Sequence, residues 1–187
     1  LAAALVATGA VASTARTDPA ASAATFALHA SKALLATFDG PQTLDDAIVV
    51  VENGKIARVV AAREFEAPAG LAVLDVRPNW ISPGFVDLHS HVGGNGADIN
   101  DMVLQVNAGL RVSPVVEPEN LERQRAAAAG VTTILFIPGS GTNISGAGIL
   151  LKTALPTYDE MRVRDPGSLK IAQGDNPTRW GYGMGRG

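Results

Sequence analysis

Two histidines separated by one residue are the strongest chemical signal in this sequence. His89 and His91 follow Asp87 in the run Asp-Leu-His-Ser-His, at the end of an apolar segment. Side chains two positions apart on a β-strand point to the same face, so these three polar side chains project together. Neutral imidazole nitrogens bind divalent transition metals at about 2.0–2.1 Å. The spacing predicts that His89 and His91 are metal ligands, with Asp87 orienting one of the rings through a hydrogen bond.

A bare His-x-His pair is common on protein surfaces. The residues around this pair support its interpretation as a metal site. Pro83 and Gly84 mark the start of the strand, which is expected to be buried. Gly93 and Gly94 allow the chain to turn away after the second histidine. The two rings are therefore expected at the carboxyl edge of a sheet, where α/β barrels hold their active sites.

The composition limits the other classes of function. The chain has 187 residues, a net charge of −3 and only 5% aromatic residues. No nucleic-acid partner is expected, since such a partner needs a basic face and aromatic side chains for base stacking. There is no cysteine, which leaves histidine, carboxylate, lysine-derived groups and water as metal ligands.

The second half of the chain has the pattern of an α/β domain. Residues 119–129 are rich in alanine and precede Gly130, which predicts a helix that ends at a C′ glycine. Residues 131–137 form an apolar, β-branched run that is typical of a strand covered on both faces. Strand, helix and strand in this order predict a parallel βαβ unit, and residues 149–152 and 168–172 are two further short strands.

The segment before it predicts a small sheet. Residues 26–34, 47–51, 56–60 and 71–76 have the alternating or β-branched character of strands. Asn53-Gly54 lies between the second and third of these, and this dipeptide is the strongest short-range signal of a hairpin.

The N-terminal residues have the character of an export signal. Residues 1–12 form an apolar run that ends in Ala-Val-Ala, a triplet of the kind that precedes signal cleavage, and residues 17–24 are a linker. Twelve residues are too few to span a bilayer, so no membrane span is expected. The sequence therefore predicts a periplasmic or extracellular protein, although an ordinary alanine-rich helix in a cytoplasmic protein fits the same residues.

The chain resembles the amidohydrolase superfamily, the group that includes imidazolonepropionases and dihydroorotases. The likeness covers about residues 26–180 and is closest to imidazolonepropionase-like members. The motifs that carry it are Pro-Gly-Phe-Val-Asp-Leu-His-Ser-His at 83–91, the strand residues at 48–51 and 53–56, Ala-Gly-Val-Thr-Thr at 129–133, and Leu-Lys-Ile-Ala-Gln-Gly-Asp-Asn-Pro at 169–177.

This resemblance implies an α/β fold in three parts. Residues 1–24 are the signal-like segment and linker, residues 25–80 a small N-terminal β-sandwich portion, and residues 81–187 the first part of a (β/α)8 TIM barrel, which is incomplete. By the same resemblance, His89 and His91 bind one or two divalent metal ions, with zinc expected, on the first barrel strand.

Lys170 is the leading candidate for a further metal ligand. In binuclear members of the superfamily, a lysine on a later barrel strand is carboxylated and bridges two metals, and Lys170 lies on a short apolar strand. Lys152 is the rival for this role, and Asp175 is a candidate carboxylate ligand. Each of the three residues also fits an ordinary solvated position at a strand end.

A glycine-rich segment at residues 139–146 follows the second predicted barrel strand. It lacks the Gly-Lys-Ser/Thr ending of a phosphate-binding P-loop and the spacing of a dinucleotide fingerprint. We expect a flexible loop above the barrel that contacts substrate.

The function implied is hydrolysis of a carbon–nitrogen bond other than a peptide bond, in a small cyclic amide, by a metal-activated water. A complete barrel takes about 250 residues, and the general-base Asp and further His ligands of the superfamily are expected beyond Gly187. The chain is thus expected to be a fragment or one half of a split enzyme, inactive and poorly soluble alone.

Two alternatives stay open on the sequence. One is a non-catalytic exported binding or scaffold domain with the same fold, and the other is a dipeptidase of the same superfamily. Homo-oligomerisation, the identity of the substrate and the number of metal ions are also left open.

Overall fold

The computed structural model describes residues 3–4 and 25–179, which fall into two compact units, residues 1–84 and residues 85–187. Each unit has its own sheet. The fold is therefore mixed α and β, with few helices. The predicted signal-like segment and linker lie outside the described residues, apart from residues 3–4. No helix within residues 25–179 combines the length and the hydropathy that crossing a membrane requires.

The described residues of the first unit include six strands, which are β1 (Ala3–Ala4), β2 (Phe26–Leu34), β3 (Thr43–Glu52), β4 (Lys55–Ala61), β5 (Ala72–Asp75) and β6 (Trp80–Pro83). They form one sheet in the order β1-β6-β2-β3-β4, with β5 also paired to β2. The predicted hairpin between β3 and β4 is confirmed: Asn53 and Gly54 have φ of 51° and 72°, the left-handed conformation that this tight turn requires.

Side-chain alternation along the strands gives this sheet two apolar faces. Leu28 and Val49 belong to one buried cluster, whereas Ala27, Ile48 and Val50 belong to another. The sequence predicted a sandwich portion, which consists of two packed sheets. The described residues of this unit form one sheet with two apolar clusters.

Up to residue 179, the second unit contains four strands and three helices: β7 (Phe85–Ser90), α1 (Leu121–Ala128), β8 (Val131–Phe136), β9 (Ile144–Lys152), α2 (Tyr158–Met161), β10 (Arg162–Ile171) and α3 (Asp175–Arg179). Its sheet has the order β10-β9-β8-β7. The long connection between β7 and α1 contains two short 3-10 turns, Gly96–Ile99 and Ser113–Val115.

The predicted parallel βαβ unit is confirmed, since β7 and β8, which precede and follow α1 in the chain, pair in parallel. The Asn120 side chain caps the helix by accepting a hydrogen bond from the Arg123 N–H at 3.0 Å. Gly130 follows the helix with φ of 91°, as expected for a C′ glycine.

Beyond β8 the sheet departs from a run of parallel strands. Strand β9 is antiparallel to β8, and β10 is antiparallel to β9. The physical reason is the short segment 137–143 between β8 and β9, because a parallel crossover needs a dozen or more residues and usually a helix. The two short strands predicted at 149–152 and 168–172 are parts of these longer antiparallel strands.

The expectation that the histidine-bearing strand is buried is wrong for the described residues. Strand β7 lies at the edge of the sheet and pairs with β8 alone. Its residues Phe85 to His89 are all exposed, with Phe85 62% and Leu88 64% exposed. The apolar core of the unit lies instead under β8 and β9, where Ile134, Phe136 and Ile149 are fully buried.

Arg123 is buried within α1, with 2% of its surface exposed. Its guanidinium donates hydrogen bonds to the backbone carbonyls of Pro118, Thr153 and Leu155. Burial lowers the pKa of this guanidinium, because desolvation disfavours the charged form. The side chain thereby ties the start of α1 to the chain after β9.

We predict that Arg123→Leu destabilises the fold, because three carbonyls lose their donor while the apolar part of the side chain is kept. The free energy of unfolding should fall by about 2–4 kcal/mol. Arg125→Leu is the matched control on the same helix: the Arg125 side chain is 72% exposed and pairs with Glu122, so its loss should change stability by less than about 0.5 kcal/mol. Urea unfolding followed by circular dichroism measures both, and equal effects would contradict the bridging role.

Candidate functional site

The two histidine rings lie side by side at the end of β7. Their centroids are 5.5 Å apart and their planes are nearly perpendicular, at 89°. His89 is the last but one residue of β7, and His91 follows its end directly. Both side chains are exposed. The i, i+2 spacing thus brings two imidazoles together, as the sequence indicated.

A backbone carbonyl fixes the tautomer of His91. The Nδ1 atom lies 3.1 Å from the carbonyl oxygen of Ile137, just after β8. A carbonyl oxygen only accepts, so Nδ1 carries the proton and donates, and Nε2 keeps its lone pair. This is the arrangement by which metal-binding histidines are oriented in proteins.

The surroundings of His91 favour its neutral form. Partial burial lowers the pKa of the imidazole, and the charges of Lys170 and His89 lower it further. The hydrogen bond to Ile137 and the carboxylate of Asp87 act in the opposite direction. Since the net shift is downward, the unprotonated ring, which is the form that binds a metal, is favoured.

The Asp87 carboxylate binds the backbone of the Asp-Leu-His-Ser-His motif. Its Oδ1 accepts a hydrogen bond from the His89 N–H at 2.9 Å. The sequence predicted a hydrogen bond to an imidazole ring, and none is found among the described residues. An Asp side chain readily bonds the N–H two residues later, and this local contact takes the place of the ring contact.

Lys170 lies with the histidines, whereas Lys152 does not. Lys170 is on β10 opposite Gly146, at the end of the sheet where His91 meets Ile137, and it lines the same cavity as both histidines. Burial lowers the pKa of its ammonium group.

Lys152 is at the other end of β9, where its Nζ contacts the Thr133 Oγ1 at 3.0 Å. The antiparallel direction of β9 therefore removes it from the histidine pair. Asp175, the first residue of α3, lines the cavity with Lys170.

The cavity has a volume of about 570 Å³ and a largely polar wall. Three of its polar residues, Ser140, Gln173 and Asn176, were not singled out from the sequence as site residues. Ser140 belongs to the glycine-rich segment that was expected to contact substrate, and the other two follow Lys170 closely. The sequence signal that could have identified these three residues is their position just after the ends of predicted strands.

The segment 137–143 between β8 and β9, which carries Ser140, is held on several sides. The Ile137 N–H donates to Ser90, and the Gly139 N–H donates to Ile99. The Gly141 N–H donates to the Asn100 Oδ1 at 3.0 Å. The flexible loop expected from the glycine content is thus a tethered segment in this structure.

The donor set fits a divalent transition metal in part. Two adjacent imidazoles, one with its tautomer fixed, are typical ligands of zinc and similar ions. Lys170 lies on the same cavity. Within residues 25–179 no group of three or more His, Cys, Asp or Glu is arranged to hold an ion, so a full coordination shell takes further ligands.

Comparison with known proteins identifies relatives of similar sequence. An imidazolonepropionase of Paraburkholderia phymatum is 31% identical over 138 residues, which cover 62% of this chain and 34% of the relative. A dihydroorotase of Anaeromyxobacter dehalogenans is 35% identical over 104 residues, which cover 46% of this chain and 23% of the relative. The chain thus spans about a third or less of these curated relatives.

A solved structure matches as well. An amidohydrolase from Thermotoga maritima MSB8 aligns with a TM-score of 0.72 and 28% identity, over 83% of this chain and 40% of that protein. No protein-family profile matches the chain. The resemblance to the amidohydrolase superfamily, imidazolonepropionase-like, is confirmed by these relatives.

We predict that Gly139→Ala disturbs the segment that carries Ser140. An added Cβ would lie 2.1 Å from the Oδ1 of Asn100, the atom that accepts from Gly141. The substitution should cost about 1–3 kcal/mol of stability and raise the hydrogen-exchange rate of the Gly141 amide. Gly109→Ala is the control, since nothing lies within 4 Å of the added Cβ there. Urea unfolding and hydrogen exchange measure the effects, and an unchanged Gly141 amide would contradict the tether.

Proposed function

We propose, on the premise that the chain is homologous to the amidohydrolase superfamily, that it supplies the first metal ligands of a metal-dependent hydrolase. The bond cleaved is a carbon–nitrogen bond other than a peptide bond. The observation that carries this proposal is the histidine pair: two imidazoles 5.5 Å apart, with the His91 Nδ1 committed to a backbone carbonyl. This geometry leaves a lone pair on the His91 Nε2, which supports its proposed role as a metal ligand.

The substrate class is proposed to be a cyclic amide. Two relatives are named imidazolonepropionase and dihydroorotase, after ring compounds that contain an amide. A small polar ring suits a cavity of about 570 Å³ lined by hydroxyl, amide and charged side chains. The partner is therefore a small molecule.

The ion is proposed to be zinc, one or two per site. When bound, such a cation supplies Lewis acidity, which polarises a carbonyl group and brings the pKa of a water molecule towards neutrality. The residues of this chain contribute the rest: His89 and His91 hold the ion, Ile137 orients the His91 ring, and Asp87 fixes the backbone that carries His89.

The strands β7 and β8 are proposed to be the first two strands of a (β/α)8 barrel, with β9 and β10 as an antiparallel excursion from it. The parallel β7-α1-β8 unit supports this. The position of both histidines at the carboxyl ends of the strands also supports it, since active sites of such barrels lie there. Further ligands and the general-base Asp would then come from outside the described residues. Export to the periplasm or the cell exterior is proposed from residues 1–24.

We predict that cation binding depends on His89 and His91 and not on His29. We expect His89→Ala and His91→Ala each to weaken Zn²⁺ binding about tenfold or more, since each removes one of few ligands. His29→Ala is the matched control, because His29 lies on β2 and contacts Asp46. Isothermal titration and elemental analysis measure binding and stoichiometry. Equal loss in all three variants, or no loss in any, would reject the site.

A further prediction concerns Lys170, which we propose is carboxylated and bridges two ions. Treatment with ¹³C-bicarbonate and Zn²⁺ should give a carbamate signal in the ¹³C NMR spectrum. The signal should disappear in Lys170→Arg and persist in Lys152→Arg, because Lys152 lies at the opposite end of the sheet. A signal that survives Lys170→Arg would assign the modification elsewhere, and absence of any signal would remove the bridging role while leaving the histidine site intact.

A further inference from the structure

Ser140 and Asn176 form a hydrogen-bonded pair on the wall of the histidine cavity. The Asn176 Nδ2 donates to the Ser140 Oγ at 2.7 Å. Both residues line the same cavity as His89 and His91. The pair joins two separate segments, because Ser140 follows β8 and Asn176 is the second residue of α3.

The bond between them leaves one donor and one acceptor next to each other. The Ser140 oxygen accepts from Asn176, so the Ser140 hydroxyl hydrogen is still able to donate. The Asn176 side chain uses its nitrogen in this bond, and its carbonyl oxygen is still able to accept. The pair therefore presents an O–H and a C=O group side by side.

This combination is complementary to the edge of a cyclic amide. In a small ring the amide is held cis, so its N–H and C=O point to the same side. In a linear peptide the amide is almost always trans, and the two groups point in opposite directions. A side-by-side donor and acceptor therefore fit both groups of a ring amide and only one group of a linear amide.

The pair is also held in place before any ligand arrives. Asn100 fixes Gly141 next to Ser140, and the Ala172 N–H donates to the Asn143 carbonyl at 2.8 Å, which joins the end of β10 to the same segment. A prepared binding surface loses less conformational entropy when it binds, so two modest hydrogen bonds give measurable selectivity.

We propose that Ser140 and Asn176 recognise the substrate of this site by its cis-amide edge: the Asn176 carbonyl accepts from the ring N–H, and the Ser140 hydroxyl donates to the ring carbonyl. The proposal rests on the proposed function, since it takes the cavity beside the histidines as the substrate site. It adds that the N–H next to the carbonyl is required for recognition.

The test uses three probe compounds and the 187-residue chain, with and without Zn²⁺. Hydantoin has ring N–H groups beside its carbonyls, 1,3-dimethylhydantoin lacks them, and N-acetylglycine N-methylamide is linear and contains only secondary amides. Each of the other two compounds can make only one of the two hydrogen bonds, so hydantoin is expected to bind about tenfold more tightly than either. Saturation-transfer NMR and isothermal titration measure the dissociation constants.

Variants assign each hydrogen bond to its residue. Ser140→Ala should weaken the binding of both hydantoin and dimethylhydantoin about threefold or more, because both compounds have the carbonyl group that this hydroxyl binds. Asn176→Ala should bring the affinity ratio of hydantoin to dimethylhydantoin down about threefold or more, because only hydantoin offers an N–H to the lost acceptor. Thr178→Ala should leave this ratio unchanged, because Thr178 lies on the same helix α3 but its hydroxyl bonds the backbone of Gly174 and Asp175. Circular dichroism checks that each variant is folded.

The outcomes separate this inference from the proposed function. Equal binding of hydantoin and dimethylhydantoin by the unmodified chain, or binding of neither, overturns the inference even where Zn²⁺ binds through the histidine pair. Selectivity that persists in Asn176→Ala, or unchanged binding of both compounds by Ser140→Ala, also overturns it. Selectivity that depends on Asn176 in a chain whose histidines bind no Zn²⁺ leaves the recognition edge standing and removes the metal-dependent function.

Discussion

The site depends on the way in which Ile137 joins the ends of β7 and β8. The Ile137 N–H donates to the Ser90 carbonyl at 3.0 Å, and the Ile137 carbonyl accepts from the His91 Nδ1 at 3.1 Å. One residue thus fixes both the backbone and an imidazole ring of the neighbouring strand. The same residue begins the segment that carries Ser140. A shift of this junction would therefore move the His91 ring and the Ser140 side chain together.

The two ends of the four-stranded sheet in the second unit carry different sets of side chains. At the carboxyl ends of β7 and β8 lie the histidines, Lys170 and the polar cavity. At the other end, Arg123 ties α1 to the chain after β9, and Lys152 contacts Thr133. Because β9 is antiparallel to β8, two lysines that look equivalent in sequence are placed at opposite ends. In parallel barrels the active site lies at the carboxyl ends of the strands, and the opposite end contributes to stability.

Short-range patterns were readable from the sequence, and pairings across the sheet were not. The Asn53-Gly54 hairpin and the Gly130 helix end were predictable because each needs a backbone conformation that few residues adopt. The proximity of the two imidazoles follows from strand periodicity alone. The antiparallel β9 was missed because an apolar run carries no strand direction, and the Ser140–Asn176 contact was missed because it joins residues 36 positions apart.

The exposed edge of the sheet connects stability with the strength of the site. Phe85, Val86 and Leu88 on β7 are more than half exposed, and the histidines of the same strand are exposed too. Any segment or partner that covers β7 would remove apolar surface from water, at about 25 cal/mol per Å². It would also lower the local dielectric around the imidazoles and the Ser140 hydroxyl, which strengthens their polar contacts. Burial of one strand would therefore stabilise the sheet and strengthen ligand binding at once, so that neither property of this site changes independently of the other.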